Sequence, residues 1–234
     1  AVASLISGIE GDYLAFCTKA TYQVAGTAGT AITSLVAPGA ARAKLNQQLA
    51  PKDRRAIQMD SVTMGSLVNG VSAYFNPSSA IGDQYKEGLI ARTAMADYYE
   101  NERVWTLPNS SDVTGSTDAA ALVTDGGTTI DMHTLLPVAT QVVGQVFTVA
   151  GIYDCHPETK AAYPHLKQYT ITAIGTTTTT ISPATILTGA KRNCGSSTGA
   201  AVAATAFNAQ VVTFVGAAST NYVQPLMYHP EAFQ

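Results

Sequence analysis

Charge is what this chain has least of. Asp, Glu, Lys and Arg make up 12% of its 234 residues, about half the usual globular share. Thr, Ser, Asn, Gln, Gly and Ala occupy the positions that Lys and Glu normally fill. Two readings fit that deficit: a secreted, polar β protein, or a subunit whose surface lies largely against copies of itself, since interface cores are depleted in Lys and Glu. Composition alone leaves both open. A basic excess is missing too. The formal net charge is -3, which argues against nucleic-acid binding through a basic face, because neutralising phosphate needs clustered Lys and Arg. Any contact with DNA is expected to be weak. Cysteine is scarce, and Cys17, Cys155 and Cys194 are odd in number and far apart. They cannot close a disulfide framework, and a reducing compartment is the simpler inference. No apolar run approaches the roughly 20 residues of a membrane helix. The opening AVASLISGIEGDY lacks the basic and uninterrupted apolar regions of a leader, and also an initiating Met. At the other end LMYHPEAFQ remains apolar and aromatic, so the expectation is a central piece of a longer protein.

What is present begins with helical periodicity. Val2, Leu5, Ile6, Ile9, Tyr13, Phe16, Cys17, Ala20 and Val24 recur at intervals of three and four. That spacing predicts a long amphipathic helix, ended by Gly26 and Gly29 and continuing upstream of residue 2. Pro38 suits the first turn of a second helix running to about Leu49, and RRAIQM reads as a short strand. Ser61 is placed to cap a third helix whose stripe is Met64, Leu67, Val68, Val71, Tyr74 and Phe75, stopped by Asn76-Pro77. EGLIARTAMADYYENERVWTLP is ambiguous by period, but its aromatic and β-branched end before Pro108 favours a strand. From Asn109 the character changes, and TTIDMHTLL, QVFTVAGIY, KQYTITAIG, TTTTISPA and QVVTFVG alternate with Gly, Pro and Asn. Residues 109–218 therefore read as one all-β domain, a small barrel or sandwich. Charge divides with it: residues 1–108 hold nine basic and nine acidic side chains, residues 109–234 four and seven.

Candidate chemistry is thin. Gly195-Ser196-Ser197-Thr198-Gly199 matches the string of a hydrolase nucleophile elbow, but an elbow needs a strand before it and a helix after it. KRNC is no strand and AAVAATAFN is weakly helical at best, so coincidence is the reading. Asp154, Cys155, His156 and His165 include zinc-binding groups without the paired spacing of a structural site; a polar hairpin explains them. His229 and Glu231 would share one face of an extended strand, as a solvated face and not as an acid/base pair. Arg54 and Arg55 beside Asp53 are a weak phosphate signal. The expectation is no catalytic, cofactor-binding or metal-binding residue.

Several stretches, in the right order, resemble the major capsid proteins of tailed bacteriophages. The branch is the coat protein of short-tailed Salmonella-type phages, which carries an extra β-barrel. GQVFTVAGIYDCHPETKAAYPHLKQYTITA is similar to that family's insertion-domain hairpin and TISPATILTGAKRN to its Ile-Ser-Pro segment. NYVQPLMYHPEAFQ resembles its aromatic-His-x-x-Ala-Phe return strand, and RRAIQMDSVT with EGLIARTAMADYYENERV its Arg-strand-loop and Gly-Ile-x-Arg-x-Ala segments. The resemblance implies an α+β chain of the Hong Kong-97-type capsid fold with an inserted all-β barrel. Residues 1–30 would end the spine helix, 31–108 and 219–234 would form the axial domain, and 109–218 the inserted barrel. It also implies a structural subunit and no enzyme, assembling as pentamers and hexamers into an icosahedral shell around DNA. A scaffolding protein, a portal protein and a place in the virion capsid, built in the bacterial cytoplasm, follow from the same resemblance. The rival reading is a β-rich, adhesin-like binding module, against which the two amphipathic helices count.

Overall fold

The computed structural model describes residues 2–72, 96–132, 137 and 140–233. The chain is mixed α and β, with few helices and one large curled antiparallel sheet, and it divides into two compact units. Unit one comprises Ala1–Thr18, Ala25–Thr106 and Val223–Gln234; unit two comprises Lys19–Val24 and Leu107–Tyr222. Tyr74, Phe75 and the Asn76-Pro77 stop, the first nine residues of the EGLIARTAM segment, and residues 133–136 of TTIDMHTLL lie outside the described residues.

Unit one is built around strand β1 (Ala56–Met59). β1 pairs in parallel with β2 (Asp97–Glu100), while the late strand β12 (Leu226–Tyr228) joins its other edge antiparallel, with Ala56 opposite Tyr228. A parallel neighbour demands a crossover, and helix α3 (Ser61–Val71) begins it. α3 starts where Asp60 accepts a hydrogen bond from the Thr63 backbone N–H, one residue before the expected Ser61 cap. Its Met64, Leu67 and Val71 bury against Ile57, Met59, Ala96 and Tyr98. Helix α2 (Val36–Gln47) has Pro38 in its first turn. Helix α1 (Val2–Ala20) buries only Leu14 and Cys17, and it stops at Ala20 instead of running to Val24. The expected single strand before Pro108 is two in its described part, β2 and β3 (Thr106–Pro108). They are separated by an Asn101 turn whose Oδ1 accepts the Arg103 N–H at 2.8 Å.

Unit two is the curled sheet. Its strands are β4 (Thr114–Ser116), β5 (Gly127–Ile130), β6 (Val146–Cys155), β7 (Ala162–Ile174), β8 (Thr179–Thr185), β9 (Cys194–Gly195) and β10 (Val211–Phe214). They run in the order β4-β10-β6-β7-β8-β5, with β9 beside β6. The ladder is open between β4 and β5, yet two backbone bonds span the seam. The Asp118 N–H donates to the Asp131 carbonyl at 3.1 Å, and the Asp131 N–H to the Ala121 carbonyl at 2.8 Å. Gly151 (φ +78°) sits where the β6–β7 register slips between Thr148 and Tyr153, the kind of bulge that bends a long strand. Inside lie Ile130, Met132, Phe147, Val149, Ile152, Tyr169, Ile171, Phe207, Val212 and Phe214, all shielded from water. The chain passes into and out of this unit through β3 and β11 (Asn221–Val223), which pair as a ribbon.

Candidate functional site

Alternation along β7 puts Tyr163, His165, Lys167, Tyr169 and Ile171 on one face. The last two belong to the apolar core; the first three carry polarity toward the hairpin end. Opposite them, Asp154 accepts a hydrogen bond from the Lys167 ammonium at 2.8 Å, with both side chains almost wholly buried. His165 Nε2 stands 3.6 Å from the other carboxylate oxygen and its ring stacks on Tyr163 at 5.4 Å. Lys167 also lies over the Tyr22 ring at 5.3 Å. Burial works against the ionised Asp154, but His165, Lys167 and the Cys155 backbone N–H outweigh it and hold the carboxyl below its ordinary range. The result is a neutralised ion pair buried between β6 and β7 of the curled sheet.

The cysteines are separated by the ladder itself. Asp154 faces Cys194 across β6 and β9, so these two share a face and Cys155 points the other way. None of Cys17, Cys155 and Cys194 is in a disulfide. Burial pushes the Cys194 thiol up to about 11, and raises Cys155 as well. His156 turns its Nδ1 to the Glu158 and Thr159 backbone N–H groups, closing the hairpin. Among the described residues, no three His, Cys, Asp or Glu side chains converge to hold a metal ion. Arg192, buried nearby, spends its guanidinium on the carbonyls of Lys160, Cys194 and Gly199.

The Gly195–Gly199 string is a turn. Cys194–Gly195 is a strand, which the sequence did not suggest, but no α-helix follows, only a one-turn 3-10 helix over Ala204–Phe207; the Ser196 hydroxyl binds the Ala200 N–H and Ser197 sits exposed at the tip. Its glycines have packing reasons: a Cβ on Gly195 would stand 2.9 Å from the Ala200 carbonyl oxygen, and Gly199 has φ +80°.

In unit one, His229 and Glu231 do not share an extended strand. β12 ends at Tyr228, and a 3-10 turn over Pro230–Phe233 begins with the Glu231 N–H donating to His229 Nδ1. Proline at 230 cannot donate to a ladder, which is why the strand stops there. Arg54 reaches Glu231 at 3.2 Å and Asp53 at 3.5 Å, on the surface. Arg55 is buried and binds the Ala50 and Pro51 carbonyls at 2.9 and 2.8 Å, so it shapes the loop after α2.

What the sequence concealed is α1. Amphipathicity announces a covered apolar face, yet Val2, Leu5, Ile6, Ile9 and Phe16 are each 60–71% exposed and Tyr13 49%. Periodicity can find such a stripe but cannot say what covers it. The Asp154–Lys167 pair was also missed; a lysine in phase with Tyr169 and Ile171 was the available signal. No helix among the described residues is long and apolar enough to cross a membrane. No protein-family model and no curated protein matches the chain.

Proposed function

We propose that the chain is a structural subunit of a tailed-phage shell. In this reading it is a major capsid protein of the Hong Kong-97-type fold, in which α1 belongs to the spine helix and the curled sheet is the inserted barrel. Many copies assemble as capsomers into an icosahedral container around DNA, with a scaffolding protein and a portal as partners, in the bacterial cytoplasm. The role is architectural and involves no reaction or cofactor.

The observation that carries the reading is the exposed face of α1. A lone subunit in water gains nothing from six large apolar side chains on one helix face, whereas a subunit made to meet others does. The low charge supports it, since few ionised groups have to be desolvated when such surfaces close. A net charge of -3 also suits a container that must release its contents.

Electron microscopy of the full-length protein coexpressed with a scaffolding protein tests this directly. Closed shells are expected. Discrete monomers that instead bind polar surface glycans would replace the reading with the adhesin-like one.

A further inference from the structure

At about 100° per residue, Val2, Leu5, Ile6, Ile9, Tyr13 and Phe16 fall in one stripe roughly 100° wide along α1. Leu14 and Cys17, the buried residues, lie on one flank of it. Glu10 on that same flank accepts a hydrogen bond from Asn101 Nδ2 at 2.7 Å. That flank holds the helix to unit one, and the stripe is a separate, outward surface.

Its central line has a symmetry of its own. Val2, Leu5, Ile9, Tyr13 and Phe16 are spaced by three, four, four and three residues, a pattern that reads the same from either end about Ile9. We propose that α1 pairs antiparallel with α1 of a second copy across a two-fold axis at Ile9. The axis sets Val2 opposite Phe16, Leu5 opposite Tyr13, and Ile9 on its own counterpart. This contact is isologous, each aliphatic end meeting an aromatic one. It also opposes the two helix dipoles. A parallel pair would stack Phe16 on Phe16 and Val2 on Val2, leaving large and small ends mismatched.

The area is sufficient. Six side chains exposed to this degree offer roughly 600 Å² per copy, about 1,200 Å² for the pair, at the lower bound of a stable specific interface. A membrane suits the stripe less well, because the helix carries Glu10 and Asp12 against the single Lys19, and interfacial helices use a basic polar face. The pairing rests on the assembly reading for its purpose, though its geometry stands on the helix alone.

The test uses single cysteines at exposed positions, the native thiols being buried. The chain should sediment as a dimer at about 50 µM. Mild oxidation should cross-link Ile9→Cys, leave Phe16→Cys alone at least about tenfold slower, and join Val2→Cys to Phe16→Cys when the two are mixed. Ile9→Glu should weaken the dimer by about a hundredfold with helix content unchanged by circular dichroism, and Ile9→Gln by less. A monomer at every concentration, equal cross-linking at residues 9 and 16, or capture by phosphatidylcholine–phosphatidylserine vesicles without dimer formation overturns the pairing. A cross-linked dimer with no shells on coexpression sinks the shell and keeps the pair. Shells that form normally with Ile9→Glu, and show no Ile9→Cys cross-link, do the reverse.

Discussion

A charge taken out of water must be repaid by a partner, and Lys167 has its partner in Asp154 at 2.8 Å. Replacing a buried pair by apolar residues is often neutral, but removing one member strands the other, at a cost of about 3–5 kcal/mol. Lys167→Met is therefore expected to lose that much in urea unfolding, and Asp154→Leu with Lys167→Met to recover most of it; equal losses in both would show that the pair is not what matters. Acid should dissolve the same contribution. Because the folded-state pKa of Asp154 is depressed, the stability it confers is complete above its unfolded value of about 3.9 and is lost as pH falls through the lower, folded value. The stability gap between the natural chain and Asp154→Asn should stay constant from neutral pH to about 5 and close below the ordinary carboxylate range. A gap that persists at pH of about 2 would contradict this.

Within α3 two glycines occupy opposite situations. A Cβ on Gly70 would stand 1.7 Å from the Thr33 carbonyl oxygen, whereas Gly65 has nothing within 4 Å. Gly70→Ala must push a backbone aside and should cost about 3 kcal/mol or more; Gly65→Ala only removes unfolded-chain entropy and should add about 0.5–1 kcal/mol. Thermal unfolding of the two variants distinguishes the signs. Elements of this kind were largely legible. The period of α1 as far as Ala20, Pro38 opening α2, the apolar RRAIQM strand and the described part of the α3 face are local signals, and the structure has each. The misses have tertiary causes. α1 ends at Ala20 because its exit is taken up by β7: Thr170 Oγ1 donates to the Lys19 carbonyl at 3.1 Å and the Val24 N–H to Gln168 at 3.1 Å. The α3 cap moves to Asp60 because a carboxylate there reaches the Thr63 N–H. His229 leaves the strand because Pro230 cannot continue it. None of these partners is near in sequence except the last two, and those are choices between adjacent residues that periodicity does not resolve.

At the scale of the whole chain, the two apolar clusters share no residue. Ile57, Met59, Met64, Leu67, Val71, Ala96 and Tyr98 serve one; Phe147, Tyr169, Ile171, Phe207, Val212 and Phe214 serve the other. Alternating strands from Asn109 onward could be read from sequence, but the order β4-β10-β6-β7-β8-β5 could not, nor the seam at Asp131, since long-range pairing leaves no mark on local pattern. The candidate sites behaved similarly: His156, Arg55 and Ser196 each satisfy neighbouring backbone, which their residue types alone do not disclose. A unit with its own closed core should fold by itself. Residues 107–222 expressed alone are expected to give β-type circular dichroism and a cooperative melt, since the core of Phe147 and Tyr169 lies wholly within them. They should nevertheless be less stable than in the whole chain. Lys19–Val24 contributes the Tyr22 ring over Lys167 and the bonds at Thr170 and Gln168, together about 1–3 kcal/mol. Lys167→Met in the excised unit should then cost nearly as much as in the whole chain, because Asp154 is stranded in both. An excised unit that melts without cooperativity would mean that the seam bonds and the ten-residue β6 cannot hold the curl unaided, and that Lys19–Val24 is part of the core it is here placed beside.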